Sequence, residues 1–189
     1  HCGVDAIVAA SQIVNNLQAV ISRTIDPLDS AVISIGSFHA GQAVNIVADE
    51  AVLEGTIRSF DETTREHLRC RLRETAELTA KAAGAYAEVH FQKGYDALIN
   101  HGEGVSLVEG AVTEILGEEN LRRLKEPSMG VDDFAYFLQR AKGAFFFLGS
   151  GFPHRENPPI HTDWFQINET CIRTGMAVET AAALEYLEE

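Results

Sequence analysis

The chain has 189 residues, enough for one large domain or two small ones, and 46% of it is apolar by type, which can fill a core. Its net charge of −13 would repel a polyanion and argues against non-specific attachment to nucleic acid or to anionic membranes. No segment approaches the roughly 20 apolar residues of a membrane span, and the three cysteines Cys2, Cys70 and Cys171 form no C-x-x-C pair. An odd, scattered set of thiols fits buried or half-buried residues of a reducing, cytoplasmic setting, not a disulfide framework or structural zinc.

The sequence opens at His1 in a pattern already under way, as expected of a segment cut from a longer chain. Val4, Ile7, Val8, Val14, Leu17 and Ile21 recur at helical spacing and predict an amphipathic helix over 4–23, broken at Asp26-Pro27. Alternation from Ala31 to His39 predicts a strand. After the turn at Ala40-Gly41-Gln42, a second strand is expected from about Val44 to Arg58, interrupted near Ala48-Asp49. Asp61 opens a helix that runs to about Ala83, where Gly84 ends it. Tyr86 to Phe91 alternate again and predict a third strand. Residues 1–92 thus read as a βαββαβ ferredoxin-like unit without its first strand. Gly94 to Glu103 is the expected boundary, leaving 93–189 as a second region.

In that region a helix is expected over 104–116, and Asp132 is placed to cap a short helix from Asp133 to Arg140. The apolar run Gly143 to Leu148 reads as a strand buried on both faces. The long loop Ser150 to Phe165 holds three of the five prolines and two histidines, and a last helix is expected over 168–187, with Asn168-Glu169 as its cap.

Several residues have the chemistry of a site. His161, stiffened by Pro158-Pro159 in a loop beyond an apolar strand, suits a metal ligand; its plainer reading is a surface histidine. Asp132 and Asp133 could bind metal, act as a base or orient a ligand, or simply cap a helix. His39 ends a strand at a tight turn. Asn45 and Arg58 suit recognition of a carboxylate, against a turn asparagine and a solvated strand arginine. The charges Arg65, Glu66, Arg69, Arg71, Arg73 and Glu74 read as a solvated helix face.

Five stretches occur together in a telling order: Gly3-Val4-Asp5-Ala6, Asn45-Ile46-Val47-Ala48-Asp49, Gly55-Thr56-Ile57-Arg58, Gly130-Val131-Asp132-Asp133-Phe134 and Pro159-Ile160-His161. This set resembles the clan MH metallopeptidase and amidohydrolase family of aminoacylase, carboxypeptidase G and succinyl-diaminopimelate desuccinylase. His39-Ala40-Gly41, the Phe134-Ala135-Tyr136-Phe137 run and Gly143-Ala144-Phe145-Phe146-Phe147-Leu148-Gly149 resemble its branch of hippurate hydrolase-like enzymes and N-acetyl-diaminopimelate deacetylases.

The resemblance implies an α/β catalytic domain interrupted by a ferredoxin-like lid that forms a homodimer. Residues 1–92 would be most of that lid, and 93–189 the C-terminal part of the catalytic domain. It implies two divalent metal ions (zinc, manganese, nickel or cobalt), with His161 as a metal ligand and Asn45, Arg58 and His39 on the substrate. Asp132 stands where the family has a Glu, and Asp133 at its Asp, in a loop beside the metals. His1 matches the end of a lid motif whose earlier His would steady the oxyanion from a neighbouring subunit. That His, the Glu general base and the other ligands would lie upstream. A water between the metals would lose its proton to the Glu and attack the amide of an N-acyl amino acid; the segment alone would be inactive. Gln166-Ile167 replaces the usual Phe-Asp. The competing readings are a non-catalytic dimerisation or binding module of the same fold and a ferredoxin-like nucleic-acid binder, which lacks its basic patch and aromatic pair.

Overall fold

The computed structural model describes residues 1–188 and divides into two compact units. One comprises His1–Ala97 with Met129–Val131, the other Leu98–Ser128 with Asp132 onward. The architecture is mixed α/β with a small two-stranded sheet.

In the first unit, α1 (Ala6–Thr24) starts at Asp5, whose carboxylate accepts the Ile7 and Val8 amides at 2.9 and 3.2 Å. An anionic cap there satisfies amides that have no helical partner. The helix buries Ile13, Leu17 and Val20. β1 (Ala31–Ala40) and β2 (Ala51–Ser59) pair antiparallel, with Gly36 as the extra residue of a bulge between Ile35 and Ser37. α2 (Glu62–Ala82) is capped by Asp61, which accepts the Thr64 amide at 2.8 Å, and the chain leaves it through Gly84 at φ +75°. That left-handed conformation suits glycine. Ile13, Leu17 and Val20 meet Leu68, Ala76 and Ala80 in one core, floored by Ile33, Ile35, Leu53 and Ile57 of the sheet. Two helices therefore cover one sheet face.

The second strand is shorter than expected. Residues 41–50 form a loop with a turn at Val44-Asn45, its Ala48 carbonyl accepting the Ala6 amide at 3.0 Å. The expected third strand over Tyr86 to Phe91 is not in the sheet. Its alternation is real, since Ala85, Ala87 and Val89 pack on the core while Tyr86 is exposed, but it has no ladder. The apolar period sets which side faces inward; a strand also needs backbone partners.

In the second unit, α3 (Gly102–Leu116) and α5 (Thr170–Glu188) pack Ala111 and Val112 against Val178. Asn168 caps α5 through the Thr170 amide at 3.2 Å. α4 (Phe134–Leu138) is a short helix. The segment 143–148 is not a strand buried on both faces: Phe146 packs on the core, but Phe147 is 66% exposed. Small residues let it lie close to the helices. A Cβ on Gly104 would come within 2.5 Å of the Gly143 carbonyl carbon, and one on Gly175 within 2.8 Å of Leu148. The Asn100 side chain acts as a substitute ladder, donating to the Phe145 carbonyl and accepting its amide, both at 2.8 Å.

Among the described residues no helix is long and apolar enough to cross a membrane. Cys2 and Cys70 are exposed rather than buried, and Cys171 is half-buried; all three are free thiols.

Candidate functional site

Arg58 lies near the end of β2, opposite Val32, and is exposed. Its Nη1 donates to the Met129 carbonyl at 2.7 Å, a bond within the first unit. A guanidinium has five donors, so most of its capacity stays open to a planar anion. His39 pairs with Val52 at the far end of the ribbon, and Asn45 sits in the turn beyond it. Strands rise roughly 3.3 Å per residue, which puts His39 and Arg58 about 20 Å apart on one sheet face. The structure brings His39 and Asn45 to one end of the ribbon and Arg58 to the other. Asn45 lies in a turn and not on a strand with Arg58.

In the second unit Asp132 is half-buried and Asp133 exposed. Asp132 accepts the Phe134 amide at 2.9 Å, and the Asp132 and Asp133 carbonyls accept the amides of Ala135 and Tyr136. Asp132 thus opens α4 as a cap, while the Asp133 side chain makes no capping bond. His161 is exposed with φ +67°, and His154 in the same loop has φ +64°. A left-handed histidine costs backbone energy, and such strain concentrates where a side chain must be aimed. The turn is held by Thr162, whose hydroxyl donates to the Pro159 carbonyl at 2.9 Å.

Among the described residues no three His, Cys, Asp or Glu side chains converge as a metal set. A two-metal centre therefore does not fit the donors of the described residues alone, and His161 is an exposed imidazole with His154 in the same loop.

The charge run on α2 is only partly a solvated face: Glu66, Arg73 and Glu74 are exposed, while Arg65 and Arg69 are half-buried. Arg65 has only 16% of its side chain exposed; it pairs with Glu62, bonds Asp96 at 2.8 Å and donates to the Tyr95 carbonyl at 3.0 Å. Arg69 pairs with Glu66, and Arg69 and Arg73 lie over the Phe91 ring at 5.9 and 5.0 Å. Glu62, Arg65, Arg69, Phe91, Lys93 and Asp96 line an open cavity of about 470 Å³. Sequence reasoning missed this network; the signal was an Arg one helical turn after Glu62, repeated at Arg69 after Glu66.

Comparison with known proteins agrees with this architecture. Residues 4–185 match the profile of peptidase family M20/M25/M40. A probable hydrolase of Synechocystis is 37% identical over 98% of this chain and 48% of its own length. An N-acetyldiaminopimelate deacetylase of Streptococcus uberis is 32% identical over 100% of this chain and 49% of its own. The chain spans about half the length of the curated relatives it matches. Among solved structures, a Bacillus subtilis protein described as a dinuclear metal binding peptidase of the M20 family superposes with a TM-score of 0.79 at 26% identity. That match covers 98% of this chain and 46% of that one. With that match running over nearly the whole sequence, the chain belongs to peptidase family M20/M25/M40.

Proposed function

We propose that this chain is the lid and C-terminal catalytic segment of a two-metal amidohydrolase that cleaves the amide bond of N-acyl amino acids. The observation that carries the reading is the family match over residues 4–185, together with relatives named amidohydrolase and deacetylase. Residues 1–92 are the lid, which pairs with a second copy, and 93–189 return to the catalytic domain. Arg58 anchors the substrate carboxylate. Asn45 and His39, about 20 Å along the ribbon, serve a site that a second copy completes. His161 supplies one imidazole to the metals, and Asp132 and Asp133 form the loop beside them. Metals held by His161 together with donors from the rest of the protein would polarise the scissile carbonyl and supply the nucleophile; the residues of this chain bind and orient the substrate.

The test is hydrolysis of N-acetyl amino acids and hippurate by the full-length enzyme. His161→Ala should lower metal content and kcat together, and the 189-residue polypeptide should turn over nothing above a His161→Ala control. A His161→Ala enzyme with full metal occupancy and normal kcat would remove the histidine from the site. Turnover by the 189-residue polypeptide would remove the view that ligands and base come from elsewhere.

A further inference from the structure

The open cleft beside α2 takes no part in the proposed reaction. Its residues come from two stretches of the first unit: Glu62, Arg65 and Arg69 from the helix, and Phe91, Lys93 and Asp96 from the segment that runs back along it. The two walls are tied together. Arg65, with only 16% of its side chain exposed, pairs with Glu62 on its own helix and crosses to Asp96 at 2.8 Å and to the Tyr95 carbonyl at 3.0 Å. Arg69 and Arg73 lie over the Phe91 ring and hold it as an apolar wall. The space between is about 470 Å³, inside the range of roughly 300–1,000 Å³ that small-molecule sites occupy.

The cleft carries both signs of charge, and one group of each sign keeps bonding capacity. Glu62 Oε2 pairs with Arg65, but Oε1 meets Arg69 only at 4.0 Å, beyond hydrogen-bond reach. Lys93 Nζ meets Asp96 at 4.0 Å, and its side chain is 74% exposed. A plain anion would face Glu62, Asp96 and the field of a chain with net charge −13; a plain cation would face Arg65, Arg69 and Lys93. A ligand with one charge of each sign a few bonds apart escapes both repulsions. We propose that this cleft binds a free α-amino acid as its zwitterion. The ammonium donates to Glu62 Oε1, the carboxylate accepts from Lys93 Nζ, and the side chain lies against Phe91. Arg58, Asn45, His39 and His161 take no part. Under the amidohydrolase reading an amino acid is also what the reaction releases, but binding here requires no turnover and stands apart from that reading.

Amide NMR shifts of the 189-residue chain, titrated with L-leucine, test it. Saturable shifts are expected over 62–69 and 91–96, with α5 unmoved and a Kd of about 1 mM, since the contacts are few and the cleft is open. L-leucinamide lacks the carboxylate and N-acetyl-L-leucine the ammonium; each should bind about tenfold more weakly, the weight of one charge-assisted hydrogen bond. Lys93→Gln should weaken leucine about tenfold and leave leucinamide unchanged. Glu62→Gln should weaken leucine and leave N-acetyl-L-leucine unchanged; if it disturbs the whole spectrum, the exposed Lys93 variant decides by itself. Lys81→Gln, exposed on the same helix but outside the cleft, should change nothing. The proposal is overturned by the absence of saturable shifts at about 50 mM leucine, well above that Kd. It is overturned equally if the amide or the N-acetyl form binds as tightly as leucine, or if Lys81→Gln weakens binding as much as Lys93→Gln.

Discussion

His161 sets aim against comfort. Its φ of +67° is one that asparagine and glycine adopt more readily than histidine. If the turn is held for the sake of the imidazole, His161→Asn should raise unfolding stability by up to about 1 kcal/mol while metal content of the full-length enzyme falls. Opposite signs in calorimetry and metal analysis are the signature of strain kept for function; a variant that loses both stability and metal would make His161 a packing residue. Loop position and prolines made this histidine legible in the sequence. The left-handed backbone was not, because no composition rule requires φ > 0 at a histidine. The bond from Arg58 to the Met129 carbonyl was not legible either, since Met129 is 71 positions away.

α1, α2 and α5 were legible because each carries its own period and its own cap, both local signals, and α3 by its period without a side-chain cap. α2 offers a pH test of one such cap. The Thr64 amide holds the Asp61 carboxyl below its ordinary value. A depressed folded value stabilises above the unfolded carboxylate range and is lost as pH falls through it. Asp61→Asn, which still accepts the hydrogen bond, should therefore narrow the loss of stability between neutral and acid pH; an identical pH profile would discount the cap. In the α1–α2 core, Leu68 is fully buried, and Leu68→Ala should cost about 2–5 kcal/mol by urea unfolding, the range of a buried leucine that leaves a cavity. On the sheet, a Cβ at Gly55 would lie 2.2 Å from the Ser34 carbonyl oxygen, so Gly55→Ala should break the β1–β2 pairing near its bulge. Loss of amide protection at Ser34 to Ser37 checks it. The segments 86–91 and 143–148 misled for one reason: period 2 and aromatic content describe a face, while a strand is a relation between two backbones. The Asn100 amide, which partners Phe145 from a side chain, has no periodic signature at all.

At the scale of the molecule, the distance between Asn45 and Arg58 becomes a subunit question. If each site takes Arg58 from one copy and Asn45 from another, co-expressing Asn45→Ala and Arg58→Ala forms should return about a quarter of native site activity, because mixed dimers regain one intact site. Sites contained within one chain would give only the average of the two variants. The exposed apolar residues of the second unit are a second such question. Trp164, the single tryptophan, is 73% exposed, and its fluorescence in the 189-residue chain should be quenched freely by acrylamide; resistance to quenching would mean that the loop is covered. The bulge at Gly36 carries the broadest consequence. Up to Ile35, odd-numbered residues of β1 face the helices; beyond the bulge Phe38, opposite Leu53, takes the inward side and His39, opposite Val52, the outward one. The ribbon is a two-stroke code with one beat inserted: removing Gly36 would restore strict alternation from Ile35 to Ala40, leaving Phe38 opposite Leu53 and His39 opposite Val52 and taking away only the local kink and added twist of the bulge.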